Sequence, residues 1–262
     1  MPDGKLSLSA FTGSIKQMFD AIAPQYDLLN KINSFGLDAL WRRKLADTVT
    51  REDPELILDL AAGTGDVTLA LAERNPDATV VAADLSRRML YRTLYKALER
   101  GLSDRVKIAE VDALNLPFEE GHFDAVTCAF GIRNFEDIPR GLSEMYRVLA
   151  PGGVVAILEL CEPVTKPVND LYQIHTRKVI PFVASFLGSD EDSYRYLHDS
   201  IAVVPNREEM EHLMIEAGFR HTRYTVFLPG VAALYVGYKA RFSAEMCAIK
   251  DHFGKLLARA TD

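Results

Sequence analysis

Two rhythms of apolar positions alternate along the middle of this chain. LILDL (56–60), TVVAA (79–83), VKIAEV (106–111), DAVTCA (124–129) and VVAILEL (154–160) are short, nearly continuous apolar runs, as expected of strands covered on both faces. Between them the spacing becomes helical. DVTLALAERN follows the first run. After the second, Ser86 is placed to cap a helix in which Met89, Leu90, Leu94, Ala97 and Leu98 share a face, and Gly101 stands at the C′ position. A later helix starts at Pro139, in the N1 position, and ends before the turn Pro151-Gly152-Gly153. This alternation predicts an α/β fold with a mostly parallel sheet and helices on both faces. Such sheets bind ligands at the carboxyl ends of the strands, beside the point where strand order reverses. Chemistry is therefore expected just after Leu60, Ala83, Val111 and Ala129.

The ends differ from this middle. Residues 1–50 read as an N-terminal helical lid on a core of residues 51–240. Within that core, residues 161–205 lack a clean strand pattern and form a candidate substrate lobe, with the apolar run VIPFVASFLG and the acidic trio Asp190, Glu191 and Asp192. Asn206 and Glu209 have the spacing of a capping box, and Gly218 closes that helix. TRYTVFL and ALYVGYK then read as antiparallel strands at the sheet edge, and residues 241–262 as a C-terminal helical extension.

Composition narrows the function. With 48% hydrophobic and 26% charged residues in 262, the chain is neither disordered nor fibrous. A net charge of −7 argues against general nucleic-acid binding, which needs a basic excess. Cys128, Cys161 and Cys247 are too few and too scattered for a disulfide framework or a metal site. The N-terminus carries no apolar signal segment, and no run approaches the ~18 apolar residues of a membrane span. The expectation is a cytoplasmic protein, with peripheral contact at the inner face of the membrane and a homodimer both left open.

Three features after the strands carry chemistry. The first is Asp59-Leu60-Ala61-Ala62-Gly63-Thr64-Gly65-Asp66, between a strand and a helix. It is either an ordinary glycine turn or a close approach of backbone to ligand. It does not match the G-x-G-x-x-G dinucleotide fingerprint, because Thr68 stands where the third glycine belongs. Asp66 would also repel a pyrophosphate. The second is Asp84, which could accept both hydroxyls of a ribose or simply cap the next helix. The third is Asp112-Ala113, able to meet an adenine amino group and ring nitrogen, or to serve as a loop-entry Asp. Together they fit an adenosyl group without a phosphate, which points to S-adenosylmethionine rather than a nicotinamide cofactor.

At these residues the chain resembles the class I S-adenosylmethionine-dependent methyltransferases, with their Rossmann-like seven-stranded sheet and antiparallel edge strand. More narrowly it resembles the UbiE/MenG family of quinone-biosynthesis C-methyltransferases. The segments are MFDAIAPQYDLLNKINSFGLDALWRR (18–43), DLAAGTGD (59–66), DALNLPF (112–118), FGIRNFED (130–137), MYRVLAPGG (145–153), SDEDSYRYLHDSI (189–201) and GVAALYVGYK (230–239). The resemblance implies cofactor contacts around Asp59, Ala61, Gly63, Thr64, Gly65, Asp84, Leu85, Asp112 and Ala113. At Ala129 the family often has a serine, so only a backbone contact is expected there. Tyr26 either closes over the methionine end or is a packed tyrosine.

The implied reaction is methyl transfer to a ring carbon of a polyprenylated quinol, demethylmenaquinol or a ubiquinone-pathway benzoquinol. An aromatic carbon is a weak nucleophile until a neighbouring hydroxyl loses its proton, so the reduced quinol is the expected acceptor. Arg133 and Asn134 are the candidate catalytic residues: an arginine charge lowers a nearby phenol's pKa, and Asn134 can bond the ring oxygen. The alternative for Arg133 is a structural pair with Glu136 or Asp137. Water, His175 and Tyr194 are open choices for the proton acceptor, and residues 172–197 could form a lipid-contacting lid or an ordinary core-facing helix. Competing functions are methylation of a soluble small molecule, non-catalytic S-adenosylmethionine binding, and a nicotinamide-dependent oxidoreductase.

Overall fold

A computed structural model of the chain describes residues 13, 16–21, 23, 27, 31, 34, 36–161 and 204–241. The expected substrate lobe, apart from Cys161, Val204 and Pro205, and the C-terminal extension, apart from Arg241, lie outside the described residues, as do Tyr26, His175 and Tyr194.

Helix α1 (Leu37–Thr50) precedes β1 (Leu56–Leu60), α2 (Asp66–Arg74), β2 (Thr79–Asp84), α3 (Arg87–Glu99), β3 (Val106–Glu110) and β4 (Phe123–Ala129). A 3-10 turn (Ile132–Asn134), α4 (Ile138–Val148), β5 (Leu149–Leu160), α5 (Arg207–Glu216), β6 (Arg220–Phe227) and β7 (Ala232–Tyr238) complete the order. The strands form one sheet in the order β3-β2-β1-β4-β5-β7-β6. All pairs from β3 to β5 are parallel, while β7 runs antiparallel to both β5 and β6. The antiparallel pairing is at the expected end, with β7 one place in from the edge and β6 outermost.

The near-continuous apolar runs have two faces to fill. One face packs Ile57, Val80 and Val154 beneath Trp41 and Leu45 of α1, Leu69 of α2 and Ala97 of α3. The other packs Leu58, Val126 and Ile157 against Leu142 and Met145 of α4 and Met210 and Met214 of α5. Trp41 stacks on Phe227 with centroids 6.4 Å apart, tying α1 to the end of β6.

Local expectations mostly hold. Ser86 caps α3 by accepting from the Met89 N–H at 3.2 Å, and Asn206 caps α5 from the Glu209 N–H at 3.0 Å. Two details differ. On α3 the buried residues are Met89, Leu90, Thr93 and Ala97, whereas Leu94 and Leu98 are 36% and 65% exposed. Thr93 takes the middle of the face because its hydroxyl donates to the Gly63 carbonyl at 2.9 Å, which turns the helix toward the glycine turn. The Pro151-Gly152-Gly153 turn lies inside β5, as a bulge where the pairing jumps from Phe123–Leu149 to Ala125–Val154. The helix before it opens at Ile138, with Asp137 as cap, so Pro139 is its second residue.

Candidate active site

Strand order reverses between β1 and β4, and the expected residues gather at the carboxyl ends there. An open cleft is lined by Ala61, Gly63, Asp84, Leu85, Asp112, Ala113 and Asn134, with Phe19, Met89, Leu114, Phe130, Phe135 and Glu136 supplying further walls. A second, smaller hollow at the glycine turn is lined by Arg42, Asp59, Ala61, Gly63, Thr64, Asp66 and Ala129. Ala61 and Gly63 border both.

The turn is held by backbone geometry that few residues adopt. Ala61 and Phe130 have φ of +53° and +57°, left-handed values unusual outside glycine, at the ends of β1 and β4. Gly65 caps α2, and a Cβ there would stand 2.4 Å from Thr93 Cγ2. It lines neither cavity; its glycine is required for packing against α3. Gly131 is needed for a similar reason, since a Cβ would come within 2.4 Å of Ala61 Cβ.

Asp84 accepts the Gly63 N–H at 2.8 Å through Oδ2 and the Ser86 N–H at 2.8 Å through Oδ1. Each oxygen retains a lone pair toward the cleft that Asp84 lines. Loss of solvent raises its carboxyl above the ordinary range, against the pull of those backbone donors. Asp59 is 1% exposed, and its two oxygens accept the hydroxyls of Thr68 at 2.6 Å and Thr127 at 2.7 Å. Burial pushes its pKa up to about 6 in spite of these bonds. Asp59 thus fastens α2 and β4 beneath the turn. Exposed Asp112 accepts the Leu114 N–H at 2.9 Å, which fixes the loop that carries Ala113.

Behind the turn runs a charged chain that the sequence did not reveal. Lys96 donates to Asp27 at 2.7 Å, Asp66 at 2.8 Å and Thr64 at 3.2 Å. The Thr64 hydroxyl also donates to Asp27. Burial alone would raise the Asp27 carboxyl, but Lys96 and Thr64 outweigh it and hold it below its usual range. Arg42 Nη1 bonds Asp38 at 2.6 Å and Asp66 at 2.8 Å, and Asp38 also accepts Ser34 at 2.6 Å. Two N-terminal residues, Asp27 and Ser34, are thereby tied to the turn. Ser34, Asp38 and Arg42 are spaced four apart, whereas the partners of Asp27, which are Thr64 and Lys96, are tens of residues away and no local spacing could announce them.

Arg133 corrects a sequence expectation. Among the described residues its ion pair is made not with Glu136 or Asp137 but with Glu159 of β5, at 2.6 Å, and the two side chains are 6% and 0% exposed. Glu159 Oε1 also accepts the Leu160 N–H at 2.8 Å, so the pair pins the 3-10 turn to the end of β5. Asn134 lines the cleft, whereas Arg133 does not.

A parallel sheet ending in an antiparallel β7, with a glycine turn, Asp84 and Asp112 at successive strand ends, is the architecture of class I S-adenosylmethionine-dependent methyltransferases. A solved structure of such an enzyme from Thermotoga maritima superposes with a TM-score of 0.59, covering 86% of this chain and 99% of its own at 19% identity. The chain belongs to the ubiE/COQ5 methyltransferase family, whose model matches residues 9–239. A demethylmenaquinone methyltransferase of Thermus thermophilus is 46% identical over 220 residues, covering 84% of this chain and 99% of its own. The ubiquinone/menaquinone biosynthesis C-methyltransferase UbiE of Methylococcus capsulatus is 36% identical over 226 residues, 86% of this chain and 91% of its own. The methyl donor is S-adenosylmethionine.

Proposed function

We propose that this chain methylates a ring carbon of demethylmenaquinol, with S-adenosylmethionine as donor. The observation that carries the reading is the pairing of family membership with the cleft: an acid for the ribose, an acid and small residue for the base, and Asn134 on the acceptor side. The donor set fits. Asp84 is partly desolvated with oxygens oriented by two backbone N–H groups, and Asp112 and Ala113 line the same cleft. Thr64 and Ala129 border the adjoining cavity, where the methionine end belongs, and Asp59 and Gly65 hold the turn from behind. A ubiquinone-pathway benzoquinol presents the same ring chemistry and is the second acceptor this reading admits.

S-adenosylmethionine, when bound, supplies an electrophilic methyl group. The chain's own work is to orient the acceptor and to favour its ring oxyanion. Asn134 is assigned to the ring oxygen, which its side-chain amide can meet as donor. Arg133 is assigned to position Asn134: with its charge neutralised by buried Glu159, it acts on the acceptor through the turn it anchors. One proton leaves overall, the ring C–H proton replaced by methyl. Phe130 and Phe135 give the cleft apolar walls suited to an aromatic acceptor. Because a polyprenyl tail resides in a bilayer, the reading brings the enzyme to a membrane surface during turnover, although no helix among the described residues could cross one.

The test is turnover with labelled S-adenosylmethionine and demethylmenaquinone in detergent, chemically reduced in one sample and oxidised in the other. Label is expected in the lipid of the reduced sample alone. Equal labelling of both, or labelling of neither, would reject the quinol mechanism.

A further inference from the structure

A helix on the surface of a folded domain normally turns polar side chains outward. Helix α3 does not. Away from its buried face of Met89, Leu90, Thr93 and Ala97, the side chains of Tyr91, Leu94, Tyr95 and Leu98 stand 57%, 36%, 63% and 65% exposed. Their spacing, i, i+3, i+4 and i+7, makes them one stripe. They are four of the eight large hydrophobic side chains exposed among the described residues, so this exposure is concentrated on a single helix. Arg87 continues the stripe at its N-terminal end, and Arg88 and Arg92 flank it.

The helix is also basic. It carries Arg87, Arg88, Arg92 and Lys96 against one carboxylate, Glu99, in a chain whose net charge is −7. Neighbouring acids cancel only part of this. Glu110 is shared by Lys16 and Arg87, Arg100 pairs with Glu73, and Lys96 takes Asp27 and Asp66. The Tyr95 hydroxyl donates to Glu99. Arg88 Nη1 bonds the backbone carbonyl of Asp20 at 3.3 Å, while the Asp20 carboxylate accepts the Ser86 hydroxyl at 2.5 Å. Tyrosine and leucine bordered by arginine is the composition that settles at the headgroup level of a bilayer, apolar groups inward and cations on anionic headgroups. A second copy seated on this face would add an equal set of arginines rather than the anionic partner they match. The helix begins beside the cleft, which Leu85 and Met89 line, so a bilayer laid along it lies next to the site.

We propose that the outward face of α3, Tyr91, Leu94, Tyr95 and Leu98 with Arg87 and Arg88, docks the enzyme on an anionic phospholipid bilayer. The inference rests on the lipid-acceptor reading given above, and names the surface that meets the acceptor's membrane. Co-sedimentation with vesicles tests it, with phosphatidylcholine alone or mixed with phosphatidylglycerol. Wild type is expected to bind the mixed vesicles and to be released as salt rises. The double variant Tyr95→Ser, Leu98→Ser is expected to bind them about tenfold more weakly or worse. Arg88→Gln is expected to lose about fivefold. Unchanged binding of S-adenosylhomocysteine shows that each variant is folded; if the double variant loses it, Arg88→Gln decides. Wild type that ignores the mixed vesicles, or variants that bind them as wild type does, overturns the proposal. Light scattering that finds a dimeric wild type and a monomeric double variant would give the face to a second copy and overturn it too. A short-tailed, water-soluble quinol separates docking from catalysis, and wild type and variants are expected to methylate it equally. Wild type that fails to methylate it, with vesicle binding still lost in the variants, would reject the quinol acceptor and leave the docking face standing.

Discussion

Asp59 and Asp84 both have raised pKa values, through the same cause, loss of solvent, but they serve different ends. Asp84 keeps lone pairs facing the cleft, whereas both oxygens of Asp59 already take threonine hydroxyls. The pKa of about 6 at Asp59 has a consequence for stability. A carboxyl raised from 3.8 to about 6 prefers its proton in the folded state, so its contribution is complete below about pH 4 and is lost as pH rises toward 6. Above that the fold carries a penalty on the order of 3 kcal/mol. Asp59→Asn removes the titration. Its unfolding free energy, relative to wild type, is expected to move in the variant's favour between pH 4 and 7 by about that amount, and urea melts across the range would show it; a constant difference would argue against the buried carboxylate. Residue identities were legible in the sequence where a motif lies between consecutive strands, as with Gly63, Asp84 and Asp112. Arg133 was read against neighbours three and four positions on, because sequence alone favours local partners. Its partner Glu159 comes from another strand and is visible only once β4 and β5 pair.

The two loops at the switch point, after β1 and after β4, meet through Gly131 and Ala61. Gly131 has an ordinary backbone conformation, so its requirement is steric: a Cβ would stand 2.4 Å from Ala61 Cβ and 3.1 Å from Cys128 Sγ. Ala61 is the reverse case, a left-handed residue that bears a Cβ. Gly131→Ala is therefore expected to destabilise the fold by about 1–3 kcal/mol through overpacking. Ala61→Gly should relieve backbone strain at small net effect, and the double variant should recover most of the loss. Simple additivity in thermal melts would contradict the contact. At this scale the sequence was most readable. Its five parallel strands appear as apolar runs because both faces are covered, and capped helices follow from Ser86 and Asn206. The bulge at Pro151-Gly152-Gly153 was read as a turn, since a glycine pair marks a break in pairing without saying whether the strand resumes. The face of α3 shifted because Thr93, polar by composition, is buried by a hydrogen bond to the glycine turn.

For the whole molecule, the strand order matters more than any element, because it alone brings the ends of β1, β2 and β4 to one cleft. The alternating pattern announced a mostly parallel sheet with its chemistry at the carboxyl ends of the strands, but not the strand order. The charged chain from Ser34 through Arg42 and Asp66 to Lys96 and Asp27 could not be anticipated either, since it joins residues 27–42 to Asp66 and to Lys96, distant in sequence. It gives the N-terminal segment an electrostatic connection to the glycine turn, while the pair Arg133–Glu159 fixes the turn after β4 to the end of β5. The central claim is that this cleft directs a methyl group to carbon rather than to the quinol's more exposed oxygen. The most direct measurement is the carbon-13 spectrum of the lipid product formed from demethylmenaquinol and S-adenosylmethionine labelled in its methyl group. A single labelled signal in the aryl-methyl region is the predicted result. A labelled signal in the methoxy region would place the transfer on oxygen and contradict the account.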